Sequence, residues 1–104
     1  MTENLVQLTL VAPRDQEEHL VEILLEHDEA AVTGFTTREI NAFGSHVLFR
    51  DIAEQIRGRV RRVEFKMLLP ASEAHDLVGH LRKTVLGRGV SFHIGPVEAA
   101  GDIG

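Results

Sequence analysis

Alternating hydrophobic and polar residues predict four β-strands in this chain. The alternation is clearest at residues 59–69, where one face is apolar and the opposite face is charged. The apolar face of that stretch consists of Val63, Phe65, Met67 and Leu69. Residues 5–11, 32–40 and 90–94 are rich in aliphatic, β-branched or aromatic side chains and are the other three predicted strands.

Apolar residues at helical spacing predict two helices, at residues 14–27 and 72–86. Acidic side chains stand in the first turn of each helix, where the helix dipole favours negative charge. We expect residues 28–31 to be a simple link between the first helix and the second strand, and residues 97–104 to be a tail.

The resulting order of elements is β-α-β-β-α-β. It predicts a single α+β domain over residues 1–104, a ferredoxin-like sandwich with a four-stranded antiparallel sheet and two helices on one face. The other face is expected to carry Gln7, Arg62, Glu64, Lys66, Ser91 and His93 beside Leu5 and Val11. Such a mixed face can stay hydrated or line the centre of a symmetric oligomer, and the small size of the domain favours an oligomer.

The connection at residues 41–58 is the unusual part of this pattern. It is too long for a tight turn, and long connections in compact domains are commonly functional. An apolar tip within it, made of Val47, Leu48 and Phe49, fits either a segment that docks on a partner protein or one that folds back on its own subunit or a neighbour.

Composition excludes several classes of function. The net charge is −5, which disfavours general binding to nucleic acids, and there is no cysteine for a disulfide or a thiolate metal site. The sequence contains neither a G-x-S-x-G motif nor an evident pair of catalytic carboxylates, so we predict no enzymatic activity. With no signal-peptide pattern and no long apolar run, we expect a cytoplasmic protein that does not insert into membranes.

Four arginines form the one basic cluster: Arg57, Arg59, Arg61 and Arg62. They could bind a phosphate or carboxylate, although alternation along a strand spreads them over both faces. The other interpretation is an edge strand kept soluble by charge and partly paired with Glu54 or Glu64.

Six histidines raise the question of a metal site, since imidazole is a common metal ligand. His46 in the long connection and His93 on the open face are the best placed, and a threefold axis could gather three copies of His93. The other interpretation is that these histidines are scattered surface or core residues.

Three segments together resemble one known family. Residues 34–44 read GFTTREINAFG and are similar to the G-x-T-x-x-E-V-x-G-F-G pattern that leads into the T-loop of PII nitrogen-regulatory proteins. Arg57-Gly58 resembles the R-G that leads out of that loop, and residues 96–104 resemble the PII ending. The chain resembles a short, uncharacterised bacterial branch of PII-like proteins more closely than it resembles the PII proteins themselves.

This resemblance implies a homotrimeric signalling protein of ferredoxin-like subunits. It implies an inter-subunit cleft for a small anionic effector, lined by Gly44, Arg57, Arg59, Gly87, Arg88 and Gly89. The 41–58 connection would then be the T-loop that contacts a target protein. Because this branch is commonly encoded beside heavy-metal efflux pumps, a membrane transporter is a candidate target. A metal-binding accessory or sensor protein for efflux is the alternative function.

Three departures from the PII pattern bear on the effector and on modification of the protein. The tail at residues 97–104 lacks the basic residues that PII proteins place there for phosphates. The turn Gly87-Arg88-Gly89 is shorter than the Gly-Asp-Gly-Lys turn of nucleotide-binding PII proteins and lacks its Asp and Lys. The effector is therefore left open between a nucleotide and another small anion. The chain has no tyrosine, which excludes uridylylation at that residue type.

Overall fold

A computed structural model describes residues 4–43, 59–84 and 89–104. The strands are β1 (Leu5–Pro13), β2 (Thr36–Phe43), β3 (Arg59–Pro70) and β4 (Ser91–Pro96). The helices are α1 (Glu17–Glu26), α2 (Asp28–Thr33) and α3 (Ala71–Thr84), with a 3-10 turn at Arg14–Gln16 before α1.

The four strands form one antiparallel sheet in the order β2-β3-β1-β4. With the helices, this order is the ferredoxin-like α+β sandwich that the pattern of elements predicts. Strands β2 and β4 are the two edges, and β3 lies inside the sheet between β2 and β1. The interpretation of the arginine-rich strand as a charged edge strand is therefore wrong.

The hydrophobic core fills the space between one face of the sheet and the helices. The apolar face predicted for β3 is confirmed, because Val63, Phe65, Met67 and Leu69 are all buried. These side chains pack with Leu8 and Leu10 of β1, Leu20 and Leu24 of α1, and Leu77 and Leu81 of α3. Phe65 is fully buried, and the ring of Phe35 lies 6.3 Å from its own, centroid to centroid.

The link expected at residues 28–31 is instead the short helix α2, which continues through Thr33. The imidazole Nδ1 of His27 accepts a hydrogen bond from the backbone N–H of Ala30, at 3.3 Å, and so caps the start of α2. Gly34 ends it with φ 81° and ψ 170°, a conformation almost confined to glycine. Strand β2 consequently begins at Thr36, four residues later than predicted.

Strand β2 also continues further than expected. It runs to Phe43, paired with Arg59, whereas the sequence pattern ended it at residue 40. Of the connection predicted at residues 41–58, the first three residues thus belong to the sheet, and residues 44–58 lie outside the described residues. Across the described ranges, no helix is long and apolar enough to cross a membrane.

Candidate functional site

The turn between α3 and β4 meets the beginning of β3 at one end of the sheet. Gly89, in this turn, has φ +84°, and a Cβ placed on it would lie 3.3 Å from Nη2 and 3.4 Å from Nη1 of Arg62. The guanidinium therefore lies directly against the glycine backbone. Since β1 separates β3 from β4, the side chain of Arg62 extends across the end of β1 to reach the turn.

The side chain of Arg62 is buried. Arg62 is only 5% exposed, although the alternation of residues puts it on the face of the sheet that the helices leave open. Its cross-strand neighbours are Pro13 in β1 and Ile40 in β2, both at the same end of the sheet. Because the guanidinium has so little contact with water, its electrostatic interactions with neighbouring groups are weakly screened.

Sequence reasoning placed Arg62 on the open face but missed its contact with the turn. The order of the strands could have predicted this contact. In an antiparallel ferredoxin-like sheet, the beginning of β3, the end of β1 and the beginning of β4 share one end, so Arg62 and Gly89 are expected to lie near each other.

A polar cavity lies at this end of the sheet, beside β2. It has a volume of about 360 Å³ and is lined by Arg14, Glu39, Ile40, Asn41 and Arg61. Nη2 of Arg14 lies 3.0 Å from Oε1 of Glu39, in an ion pair whose side chains are both well exposed. Arg61 and Arg62 thus point to opposite faces of β3, as the alternation predicts.

The open face of the sheet carries the expected mixture of side chains. Oε1 of Glu64 accepts a hydrogen bond from Nε of Arg38 at 3.0 Å and lies 3.5 Å from Nζ of Lys66. Thr9 is fully buried at the centre of this face, opposite Lys66 on one side and His93 on the other. Its hydroxyl has no hydrogen-bond partner among the described residues.

The structure describes only part of the predicted effector cleft. Gly89 contacts Arg62, and Arg59 is the first residue of β3, paired with Phe43. Gly44, Arg57, Gly87 and Arg88 lie outside the described residues, as do His46 and the loop tip of Val47, Leu48 and Phe49. Of the three residues of the predicted turn, the structure thus describes Gly89, and Arg62 lies against it.

Of the two predicted metal ligands, only His93 lies in the described part of the chain. It is exposed on β4, an edge strand, opposite Thr9. Within residues 4–43, 59–84 and 89–104, no group of three or more His, Asp or Glu side chains is arranged to hold a metal ion.

Comparison with known proteins identifies the family of this chain. The chain belongs to DUF3240, a family described as a protein of unknown function, whose model matches residues 2–104. A DUF3240 family protein from Shewanella baltica has a similar crystal structure, with a TM-score of 0.77 and 19% identity. That match covers 99% of this chain and 100% of the other.

Two PII-like proteins share the fold. CPII from Thiomonas intermedia, a nitrogen regulatory PII-like protein, matches with a TM-score of 0.66 and 16% identity over 95% of this chain and 96% of its own. Its structure contains ADP, AMP and bicarbonate. A PII-like signalling protein from Thermus thermophilus matches with a TM-score of 0.60 and 19% identity, covering 93% and 91% of the two chains. No curated protein has significant sequence similarity to this chain.

Proposed function

We propose that this chain is a PII-like regulatory protein without catalytic activity, which acts as a cytoplasmic homotrimer. A small anionic effector binds in a cleft between subunits, beside the turn between α3 and β4. The part of the predicted 41–58 connection that lies between β2 and β3, residues 44–58, changes its contacts with a target protein when the effector binds.

One observation carries this proposal: the guanidinium of Arg62 lies against Gly89. A glycine-rich turn can present its backbone N–H groups to an anion, and a fixed positive charge behind the turn strengthens that interaction. Because Arg62 is 5% exposed, we assign it the role of fixing and polarising the turn. Arg59 and Arg88 are the proposed direct ligands of the anion, with Gly44, Arg57 and Gly87 beside them.

The likeness to CPII supports a small anion as the effector, since that protein is seen with two adenine nucleotides and bicarbonate. The shorter turn of this chain lacks the Asp and Lys of the PII pattern. With fewer charged groups, this turn suits a compact anion better than a long polyphosphate.

The position of the connection between β2 and β3 supports a link between effector binding and target binding. Strands β2 and β3 pair up to Phe43 and Arg59, so the connection begins and ends at the end of the sheet that holds Gly89 and Arg62. An anion bound there would contact the base of the connection. We propose that its apolar tip, made of Val47, Leu48 and Phe49, is what docks on the target, with a membrane transporter as a candidate.

Calorimetry with ADP, AMP, ATP and bicarbonate tests the effector site. We expect at least one anion to bind, and Arg88→Ala to weaken that binding about tenfold or more, since a charge-assisted hydrogen bond is worth about 1.5–3 kcal/mol. Arg14→Ala is the matched control, because this arginine lines the polar cavity beside β2 at the same end of the sheet. Binding that Arg88→Ala leaves unchanged and Arg14→Ala abolishes would move the site to that cavity. A folded protein that binds none of these anions would refute the proposal.

Native mass spectrometry measures the number of subunits, for which we expect three. A protein that stays monomeric at micromolar concentration would remove the inter-subunit cleft. Pull-down with Phe49→Ala, compared with the wild-type protein, tests the docking role of the loop tip.

The metal-binding alternative stays a prediction with its own test. Titration with zinc, copper, nickel and cobalt should show binding that His46→Ala or His93→Ala weakens. Binding that persists in both variants would exclude these two ligands.

A further inference from the structure

An apolar groove lies between α3 and β4, at an edge of the sheet. It has a volume of about 250 Å³, and its apolar lining consists of Leu10, Val78, Leu81, Val90 and Phe92. Phe92 is 43% exposed, which is unusual for a large aromatic side chain that faces the helices. The groove is therefore a hydrophobic surface that the described part of the subunit does not cover.

A positive charge lies at the rim of this groove. The guanidinium carbon of Arg82 is 5.6 Å from the centroid of the Phe92 ring, so the cation lies over the aromatic face. Arg82 is exposed, and Lys83 follows it in the last turn of α3. A ligand of this groove should thus combine an apolar group with a negative charge.

The tail of this same chain has that chemistry. Residues 98–104 are all exposed, and Ile103 shows 106% of its reference surface, so its side chain contacts nothing in its own subunit. Glu98 and Asp102 make the tail acidic, and residues 97–104 contain no basic residue. Burial of an aliphatic side chain that is fully exposed to water is favourable.

The tail of one subunit does not occupy its own groove. The groove is at the beginning of β4, whereas the tail leaves from the end of this strand, and six residues in a strand span about 20 Å. To fill its own groove, the tail would have to reverse along β4, and its exposed residues show that it does not.

We propose that the tail of one copy of this chain docks in the groove of a second copy. Ile103 enters the apolar slot between α3 and β4, and Asp102 pairs with Arg82 at its rim. The groove volume is several times that of a water molecule, enough to admit an aliphatic side chain. This contact goes beyond the proposed effector site and does not depend on any effector.

The absence of cysteine from the chain allows a direct test by disulfide formation. Val90→Cys places a thiol in the groove, and Ile103→Cys places one on the tail. When the two single variants are mixed and mildly oxidised, we expect a disulfide-linked pair of subunits on a non-reducing gel. Leu25→Cys, at a site on α1 that is 58% exposed, is the control partner for Ile103→Cys. We expect the groove variant to cross-link at least tenfold faster than this control.

A charge reversal tests the pairing of Asp102 with Arg82. Asp102→Arg in the tail variant, or Arg82→Asp in the groove variant, should each lower the cross-linking rate several-fold. The two reversed variants mixed together should recover it. Far-UV circular dichroism verifies that each variant is folded.

Three results would overturn the proposal. The control cysteine could cross-link as fast as the groove cysteine. A second such result is that a chain carrying both Val90→Cys and Ile103→Cys forms a disulfide only within one subunit, both at high dilution and at working concentration. The reversed charges could leave the rate unchanged in every combination.

Discussion

Replacing Gly89 with alanine tests the contact on which the proposed effector site depends. The φ of +84° is unfavourable for any residue with a Cβ, at a cost of about 1–2 kcal/mol. Alanine also restricts the unfolded chain, which returns about 0.4–1 kcal/mol. The new Cβ would press on the guanidinium of Arg62 at 3.3 Å, and this side chain has little room to move because it is buried. The two backbone terms leave a loss of at most about 1.6 kcal/mol. The contact with Arg62 adds to it, so we expect a net loss of about 1–2 kcal/mol in the free energy of unfolding.

Two other glycines separate the causes. Gly34 also has a positive φ, 81°, but a Cβ there would have no atom within 4 Å. Gly34→Ala therefore shows the cost of a positive φ without any side-chain contact. We expect about 1–3 kcal/mol, because its ψ of 170° adds to the backbone strain. Gly79 lies inside α3, also with open space around it, and Gly79→Ala should stabilise the protein by about 0.5–1 kcal/mol.

The assay is urea unfolding followed by far-UV circular dichroism at one fixed protein concentration, since association would add to the apparent stability. The chain has no tryptophan or tyrosine, so fluorescence from those residues cannot serve as the probe. Calorimetry on the same variants then separates stability from function. We expect Gly89→Ala to weaken effector binding and Gly34→Ala to leave it unchanged. If Gly89→Ala is as stable as the wild type and binds equally well, the turn is not held against Arg62.

Three further substitutions test the fold by the same unfolding assay. Phe65→Ala should cost about 3–5 kcal/mol, because it empties the centre of the core; a loss below about 1 kcal/mol would mean that the core is not packed as described. His27→Ala should cost about 1 kcal/mol through the lost cap on the N–H of Ala30, while His27→Asn should retain most of it; equal losses would argue against capping. Arg38→Ala should cost less than about 1 kcal/mol, since the arginine of its pair with Glu64 is 66% exposed; a larger loss, insensitive to salt, would indicate burial in an assembly.

Local patterns were enough to predict the sheet and its core. Strict alternation at Val63, Phe65 and Met67 identifies the buried face of β3, since a strand directs successive side chains to opposite sides. The order of elements then leaves few topologies, and the ferredoxin-like arrangement is the one observed.

The segment around α2 was harder to predict because two tendencies compete there. Val32 and Thr33 are β-branched and favour a strand, but the acidic pair Asp28-Glu29 and the terminating Gly34 favour a helix. A histidine cap is also uncommon, so the start of this helix had no familiar marker.

The position of Arg62 depends on contacts between residues that are distant in the sequence. Alternation predicts its face, but the approach to Gly89 results from the placement of β1 between β3 and β4. One of the two interpretations of the arginine cluster made β3 an edge strand, because a sequence pattern does not show which strands have neighbours on both sides.

The strand order has a consequence for synthesis on the ribosome. Strand β1 is an inner strand, and its two neighbours come much later in the chain: Leu8 pairs with Met67 on one side and with Ile94 on the other. As the chain emerges, β1 is made long before both of its neighbours. Some of its backbone N–H and C=O groups therefore stay unpaired, and open to incorrect pairing, until nearly the whole chain has been made. A nascent chain stopped after α3 would leave exposed the edge of β1 that later pairs with β4. We expect such arrested chains to aggregate or recruit chaperones, and the last six-residue strand to complete the sheet.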